Sequence, residues 1–218
     1  MIDLHTHSLH SDGELLPSEL ARRMEVKGYK FLAITDHVDM SNIREVVPNL
    51  VRASEDINRF WRIKVIPGME ITHPPLELIK ELAEEGRSLG AKLIIVHGET
   101  TAEPVHKGTN RLALLSPIDI LAHPGLITEE DVRLAKKRGI CLEVSGRKGH
   151  SLTNGHVVAL ARKIKAKLVI DSDSHEVSDL MDLETRWKVG RGAGLTDKEI
   201  KDINVEMALL ARRILGNV

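Results

Sequence analysis

The chain has 218 residues, 42% of them hydrophobic and 29% charged, with a formal net charge of −1. That length suits one sizeable core, and the charge balance excludes non-specific attraction to nucleic acid or to an anionic membrane. No apolar stretch approaches a membrane span, and Cys141, the sole cysteine, excludes an internal disulfide or a Cys-rich zinc site.

Aromatic residues make up only 2%, so the core is expected to be aliphatic and stacking platforms for single-stranded nucleic acid are scarce. Glutamine is absent while Lys, Arg and Glu abound, a composition that leans toward heat adaptation. The opening residues already read as a strand, so no secretory or transit segment is expected and the expected location is cytoplasmic. A single domain over 1–218 is expected, because no linker, low-complexity segment or fixed-length repeat interrupts the chain.

Taken in order, short apolar runs alternate with segments of helical period. Met1–His5 reads as the first strand, and Pro17 opens a helix through PSELARRM, a residue suited to a first turn. Phe31–Thr35 and Lys64–Pro67 read as the next two strands. Leu76, Leu78, Ile79 and Leu82 form an apolar helical stripe before Gly86 and Gly90, and Lys92–His97 follows as the fourth strand. After Ile118–Ala122, Thr128 to Asp131 resembles a capping box that opens a helix. Ile140–Val144 and Lys167–Asp171 complete seven strands. The glycine-containing stretch Val189–Leu195 is expected to be a turn; it does not follow the first strand of a βαβ unit, so it is no dinucleotide loop. Thr196 to Glu199 then caps a last helix whose Ile200, Ile203, Met207, Leu210 and Ile214 form a core-facing stripe.

Repeated strand–helix units predict a parallel sheet, either doubly wound or closed into a barrel. The strand ends decide between them. They carry His5-Thr-His7, Asp36-His37, Glu70, His97-Gly-Glu99, His123, Glu143 and Asp171-Ser-Asp173-Ser-His175. In a parallel α/β fold the C-terminal strand ends form the functional face. Along an open sheet these groups lie too far apart to meet, whereas a barrel gathers them at one mouth, so a barrel is expected. Alternate strand residues share a face, which places His5 with His7 and Asp171 with Asp173 and His175. So many imidazoles and carboxylates at one mouth would be costly unpaired. A divalent metal removes that cost, and N/O donors suit Zn²⁺, Mn²⁺ or Fe²⁺.

The motifs HTHSLHSDG, ITDH, GMEI, VHGE, LAHPG and DSDSH, in this order from Asp3 to His175, resemble those of the PHP (polymerase and histidinol phosphatase) superfamily. The resemblance implies a distorted (β/α)7 TIM-like barrel, in agreement with the seven strands counted above. It also implies two or three divalent metal ions, Zn, Mn or Fe. One would take His5, His7, Glu70 and Asp173. A second would share Glu70 and take His97 and His123. A third would take Asp12, His37 and His175. His10 matches no required ligand and is read as a loop residue.

The resemblance further implies hydrolysis of phosphate esters by attack of a metal-bridged hydroxide at phosphorus, with the cations about 3.5–4 Å apart. Asp173 and Glu70 are the expected catalytic groups, and Arg147 the expected fixed cation for phosphate. Arg147, Lys148, His150 and His73 are the expected substrate contacts. Glu99 and Glu103 could reach substrate or metal-bound water from the polar loop after the fourth strand. Asp3 and Asp171 are expected to orient ligands, Asp36 to serve a cap or loop, and His106 and His156 to be surface and structural residues.

A small-molecule phosphomonoester is the expected substrate. A phosphodiesterase acting on nucleotides or oligonucleotide ends is the alternative, with nucleic acid entering only as a short end. A metal-dependent amidohydrolase is disfavoured because no strand ends in a bridging lysine, and a non-catalytic metal-binding domain because all nine ligand positions are filled. Metal identity, oligomeric state and natural substrate are not legible.

Overall fold

The computed structural model describes residues 1–216. Eight parallel strand segments run in the order β1 (Ile2–Asp3), β2 (Phe31–Ile34), β4 (Lys64–Ile71), β5 (Leu93–His97), β6 (Ile120–Ala122), β7 (Cys141–Ser145) and β8 (Leu168–Asp171), with β3 (His37–Val38) also on β4. The second expected strand is therefore two segments, β2 and β3, which pair with successive parts of β4. The third is longer than expected. Gly68 does not end it but pairs with Leu93, and the ladder continues through Glu70 and Ile71. A side chain at Gly68 would meet Thr35 Cγ2 at 2.7 Å, so glycine there reflects close strand approach, not a turn.

The sheet closes into a nearly complete barrel between β8 and the chain after β1. His7 N donates to Ser174 O at 2.9 Å and Asp173 N to His5 O at 3.0 Å. Lower in this seam the strands do not pair directly. Leu4 N donates to Asp171 Oδ1 at 2.7 Å and Ser172 N to Asp3 Oδ1 at 3.2 Å. This shortens the first strand from the expected Met1–His5 to Ile2–Asp3, because carboxylates take the places of neighbouring carbonyls.

Alternation separates two cores. Ile66, Leu93, Ile95, Ile120 and Val169 pack together with Met207 and Ala211, whereas Leu32, Val65, Ile94, Leu121 and Leu142 face the surrounding helices. The helices are α1 (Pro17–Val26), α2 (Ile43–Phe60), α3 (Ile79–Ser88), α4 (Thr109–Leu115), α5 (Glu129–Arg138), α6 (Asn154–Ile164), α7 (Leu183–Gly192) and α8 (Asp197–Ile214). The two capped starts behave as read. Thr128 accepts from Asp131 N at α5, and Thr196 and Glu199 form a reciprocal box at α8. The stretch from Val189 differs: it continues α7 to Gly192 and turns only at Ala193–Leu195. α8 packs against both β1 and β8, covering the seam. None of the described helices is long and apolar enough to cross a membrane.

Candidate metal centre

His5 and His7 leave β1 on an extended backbone and turn the same way, with ring centroids 5.0 Å apart. The Ser-Asp-Gly that follows is a turn built around Asp36. Its carboxylate accepts from Ser8 N, Ser8 Oγ and Ser11 Oγ at 2.6–2.7 Å. Gly13 crosses the His7 carbonyl, where a Cβ would lie 2.4 Å from the oxygen. The turn delivers Asp12, whose Oδ1 lies 3.2 Å from His175 Nε2 and 3.5 Å from His37 Nε2.

Glu70 is fully buried and sits at the barrel centre. Its Oε2 lies 3.3 Å from His5 Nε2 and 3.6 Å from His7 Nε2, and its Oε1 3.5 Å from His123 Nε2. Asp173 faces it from the end of β8, with Oδ1 3.3 Å from His7 Nε2 and Oδ2 3.6 Å from His123 Nε2. His97 lies 4.4 Å from His123, centroid to centroid. All nine expected positions thus meet at the C-terminal mouth of the barrel. Asp173 (φ 52°), His123 (φ 25°) and His73 (φ 49°) hold left-handed backbone, a strain of about 1–3 kcal/mol each that collects where side chains must be aimed.

The other expected contacts divide. His150 is buried and stacks on His123 at 4.1 Å. His73 lies at the rim, 3.2 Å from Glu103. Arg147 Nη1 donates to Asp173 O at 3.2 Å and lies against His175 Nδ1. Lys148 is exposed and joins none of these contacts. The rings of His10 and His106 also lie outside the cluster, and His156 donates to Ile127 O at 2.7 Å, a structural bond. Glu99 does not reach the mouth: its Oε1 accepts from Gly108 N and Asn110 N, closing the base of its loop.

Asp3 and Asp171 correct another expectation. They do not orient ligand rings but accept backbone N–H groups across the seam. The ring-orienting carboxylate is Glu143, fully buried on β7. Its Oε1 lies 2.7 Å from His5 Nδ1 and its Oε2 accepts from His123 N at 2.9 Å. That bond turns His5 Nε2 toward Glu70 and Asp173. The sequence places Glu143 at a strand end without a role; only its reach past β8 to His5 shows one. Glu143→Gln should lower zinc affinity about 10–100-fold, the usual loss for an outer partner of a ligating histidine, read by chelator competition. Unchanged affinity would remove Glu143 from this role.

The donors fit divalent cations. His5 Nε2, His7 Nε2, both Glu70 oxygens and Asp173 Oδ2 are buried and make no hydrogen bond, a costly state for polar atoms. The Nε2 atoms of His5, His7 and His123 stand 3.3–3.8 Å from the Glu70 and Asp173 oxygens, close to the edge of a tetrahedron with bonds of roughly 2.0–2.1 Å, about 3.3–3.4 Å. The electrostatics are also in conflict. Burial, then Glu70 and Glu143, push Asp173 well above the usual carboxylate range. Burial opposes charge on Glu70, yet His5 and His37 pull it well below. Burial and then His37, His5 and His175 hold His7 well below the usual imidazole range. Bound cations relieve all three at once.

A cavity of about 1070 Å³ lies beside α8 at the opposite end of the barrel and is lined by none of the nine positions. Donor chemistry, not volume, locates the site.

A family model described as PHP domain matches residues 3–179. The chain is 45% identical over 202 residues to an uncharacterized protein of Methanocaldococcus jannaschii, covering 92% of this chain and 93% of that one. It is 26% identical to a protein of Thermoanaerobacter sp. named as a probable phosphatase, covering 94% and 91% of the two chains. Among solved structures, histidinol phosphate phosphatase from Lactococcus lactis, complexed with zinc, L-histidinol and phosphate, shares the fold. The TM-score is 0.61 at 16% identity, over 89% of this chain and 94% of that one.

Proposed function

From the premise that the chain belongs to the PHP domain family, and is thereby a metal-dependent phosphoesterase, we propose that it hydrolyses a small phosphomonoester at the barrel mouth. The observation that carries this reading is the convergence of nine ligand-type side chains around buried, unpartnered donors, with Arg147 at their edge. The relative named as a probable phosphatase, and the fold neighbour complexed with histidinol and phosphate, support it.

In this reading His5, His7, Glu70 and Asp173 hold one cation, His97 and His123 with Glu70 a second, and Asp12, His37 and His175 a third. When bound, the cations lower the pKa of water toward 7 and neutralise charge developing on phosphoryl oxygens. The chain supplies the rest. Of the Arg147 guanidinium only Nη1 is engaged in hydrogen bonds among the described residues, which leaves its remaining side-chain N–H groups for phosphate oxygens. Asp173 Oδ2, unpartnered beside His123 and His150, is the atom proposed to handle the proton of the leaving alkoxide. His5 and His123 are held in place by Glu143.

The test compares p-nitrophenyl phosphate with bis-p-nitrophenyl phosphate on protein loaded with Mn²⁺ or Zn²⁺. Higher kcat/KM on the monoester is expected. A preference for the diester would overturn the substrate class and direct attention to nucleotides and oligonucleotide ends.

A further inference from the structure

The nine positions leave out a second ring of donors at the same mouth. Glu103 stands on the segment Gly98–Gly108, which carries no helix or strand. Its Oε2 lies 3.1 Å from His97 Nε2 and 3.2 Å from His73 Nε2, and its Oε1 3.4 Å from His150 Nε2. Three imidazoles from three separate segments therefore face one carboxylate. Among the described residues Glu103 pairs with no Lys or Arg, and His97 makes its only carboxylate contact with Glu103.

We propose that Glu103 is a ligand of the cation held at His97 and His123, so that metal loading fastens the Gly98–Gly108 loop across the mouth. This rests on the metal centre proposed above.

Three features argue for it. First, the separations of 3.1–3.4 Å match the donor–donor spacing of a zinc site, about 3.3–3.4 Å for bonds of roughly 2.0–2.1 Å. Glu70, which the family pattern gives to this cation, makes its histidine contacts with His5, His7, His37 and His123, not with His97. Glu103 supplies the carboxylate that His97 otherwise lacks.

Second, both rings engage Nδ1 elsewhere and leave Nε2 facing Glu103. His97 Nδ1 donates to Gly98 O at 3.1 Å, and His150 Nδ1 is bonded to Thr100 Oγ1 at 2.8 Å. Both bonds turn the Nε2 atoms toward Glu103, as in histidine ligands whose other nitrogen is engaged. Both partners, Gly98 and Thr100, belong to the loop itself.

Third, the loop is built to present this residue. Its base is shut by Glu99, which accepts from Gly108 N and Asn110 N, and by Asn110 Oδ1, which accepts from Glu99 N at 2.9 Å. Gly125 gives way beneath: with φ 61°, it lies where a Cβ would meet Glu99 O at 1.8 Å. Residues 101–104 are exposed, and an exposed carboxylate normally faces water. Glu103 instead turns both carboxylate oxygens toward imidazoles.

The experiment uses the whole chain and zinc. Wild type, Glu103→Gln and His106→Ala, an exposed neighbour on the same loop, are loaded and dialysed against a weak chelator. Retained zinc per chain is measured, together with the rate of trypsin cleavage after Lys107 with and without zinc. Wild type and His106→Ala should retain the same zinc and gain at least about tenfold protection at Lys107 on loading. Glu103→Gln should retain about one equivalent less and lose that protection. Equal zinc and equal protection in Glu103→Gln would overturn Glu103 as a ligand while leaving the metal centre intact. A wild-type chain that retains no zinc would overturn the centre itself.

Discussion

Asp173→Asn, folded and loaded with metal, should turn over p-nitrophenyl phosphate about 10³-fold or more slowly than wild type. Metal-centred charge stabilisation is worth several kcal/mol, and each 1.36 kcal/mol is about tenfold in rate. Asparagine keeps the shape of the side chain and tolerates the left-handed backbone at φ 52°, so the barrel should form. What is lost is an anionic oxygen 3.3 Å from His7 and another 3.6 Å from His123, together with the proposed proton-handling atom. Glu70→Gln should fail similarly, and with weaker metal retention, because Glu70 sits between His5, His7 and His123. Circular dichroism and metal content on the same preparations separate chemistry from folding. Near-normal kcat in a folded, loaded variant would remove either residue from the proposed machinery.

The second large effect is on stability and lies beneath the site. Arg186 on α7 is fully buried. Its Nε donates to Asn204 Oδ1 at 2.9 Å and its Nη2 contacts Met207 Sδ at 3.0 Å. Burial raises the pKa values of Asp3 and Asp171, and Arg186 is the cation that opposes this for both. These are the carboxylates that bond across the β1–β8 seam. Arg186→Met keeps most of the volume but leaves both carboxylates buried without a cation. The change also leaves Asn204 Oδ1 without its donor, and removing one partner of a buried hydrogen bond costs about 1–3 kcal/mol. For a chain of this size each kcal/mol shifts the melting midpoint by about 2–4 °C, so a fall of roughly 2–12 °C is expected. Arg191→Met, which removes an exposed, solvent-screened pair with Asp197, should leave the midpoint nearly unchanged. A midpoint for Arg186→Met as high as that of Arg191→Met would show that the seam does not depend on this cation.

Barrel, mouth and ligand types were legible because each has a local signature. Aliphatic runs mark strands whatever they pair with, and parity along His5-Thr-His7 holds for any extended chain. Capping at Thr128 and Thr196 depends on three or four consecutive residues, and the structure forms both. The motifs supplied the nine positions because their order along the chain is the order of strand ends around the barrel.

Other features had no local signature. Glu143 reads as an ordinary strand residue until its carboxylate reaches His5, 138 positions away in the chain. Asp36 sits beside His37 but acts on the turn of Ser8 and Ser11. Asp3 and Asp171 share parity with the ligands, yet the seam leaves backbone N–H groups that claim their oxygens. Arg186 lies on a helix with no distinctive pattern, and its burial follows only from how α7 and α8 cover that seam. Glu99 and Glu103 stand four residues apart on one polar loop and look alike in sequence, but one shuts the base of the loop and the other meets three imidazoles. The elements, the barrel and the kinds of donor at its mouth are readable along the chain, because they follow from local periodicity and residue chemistry. Which carboxylate serves which partner emerges only on folding, because it depends on distances between segments far apart along the chain.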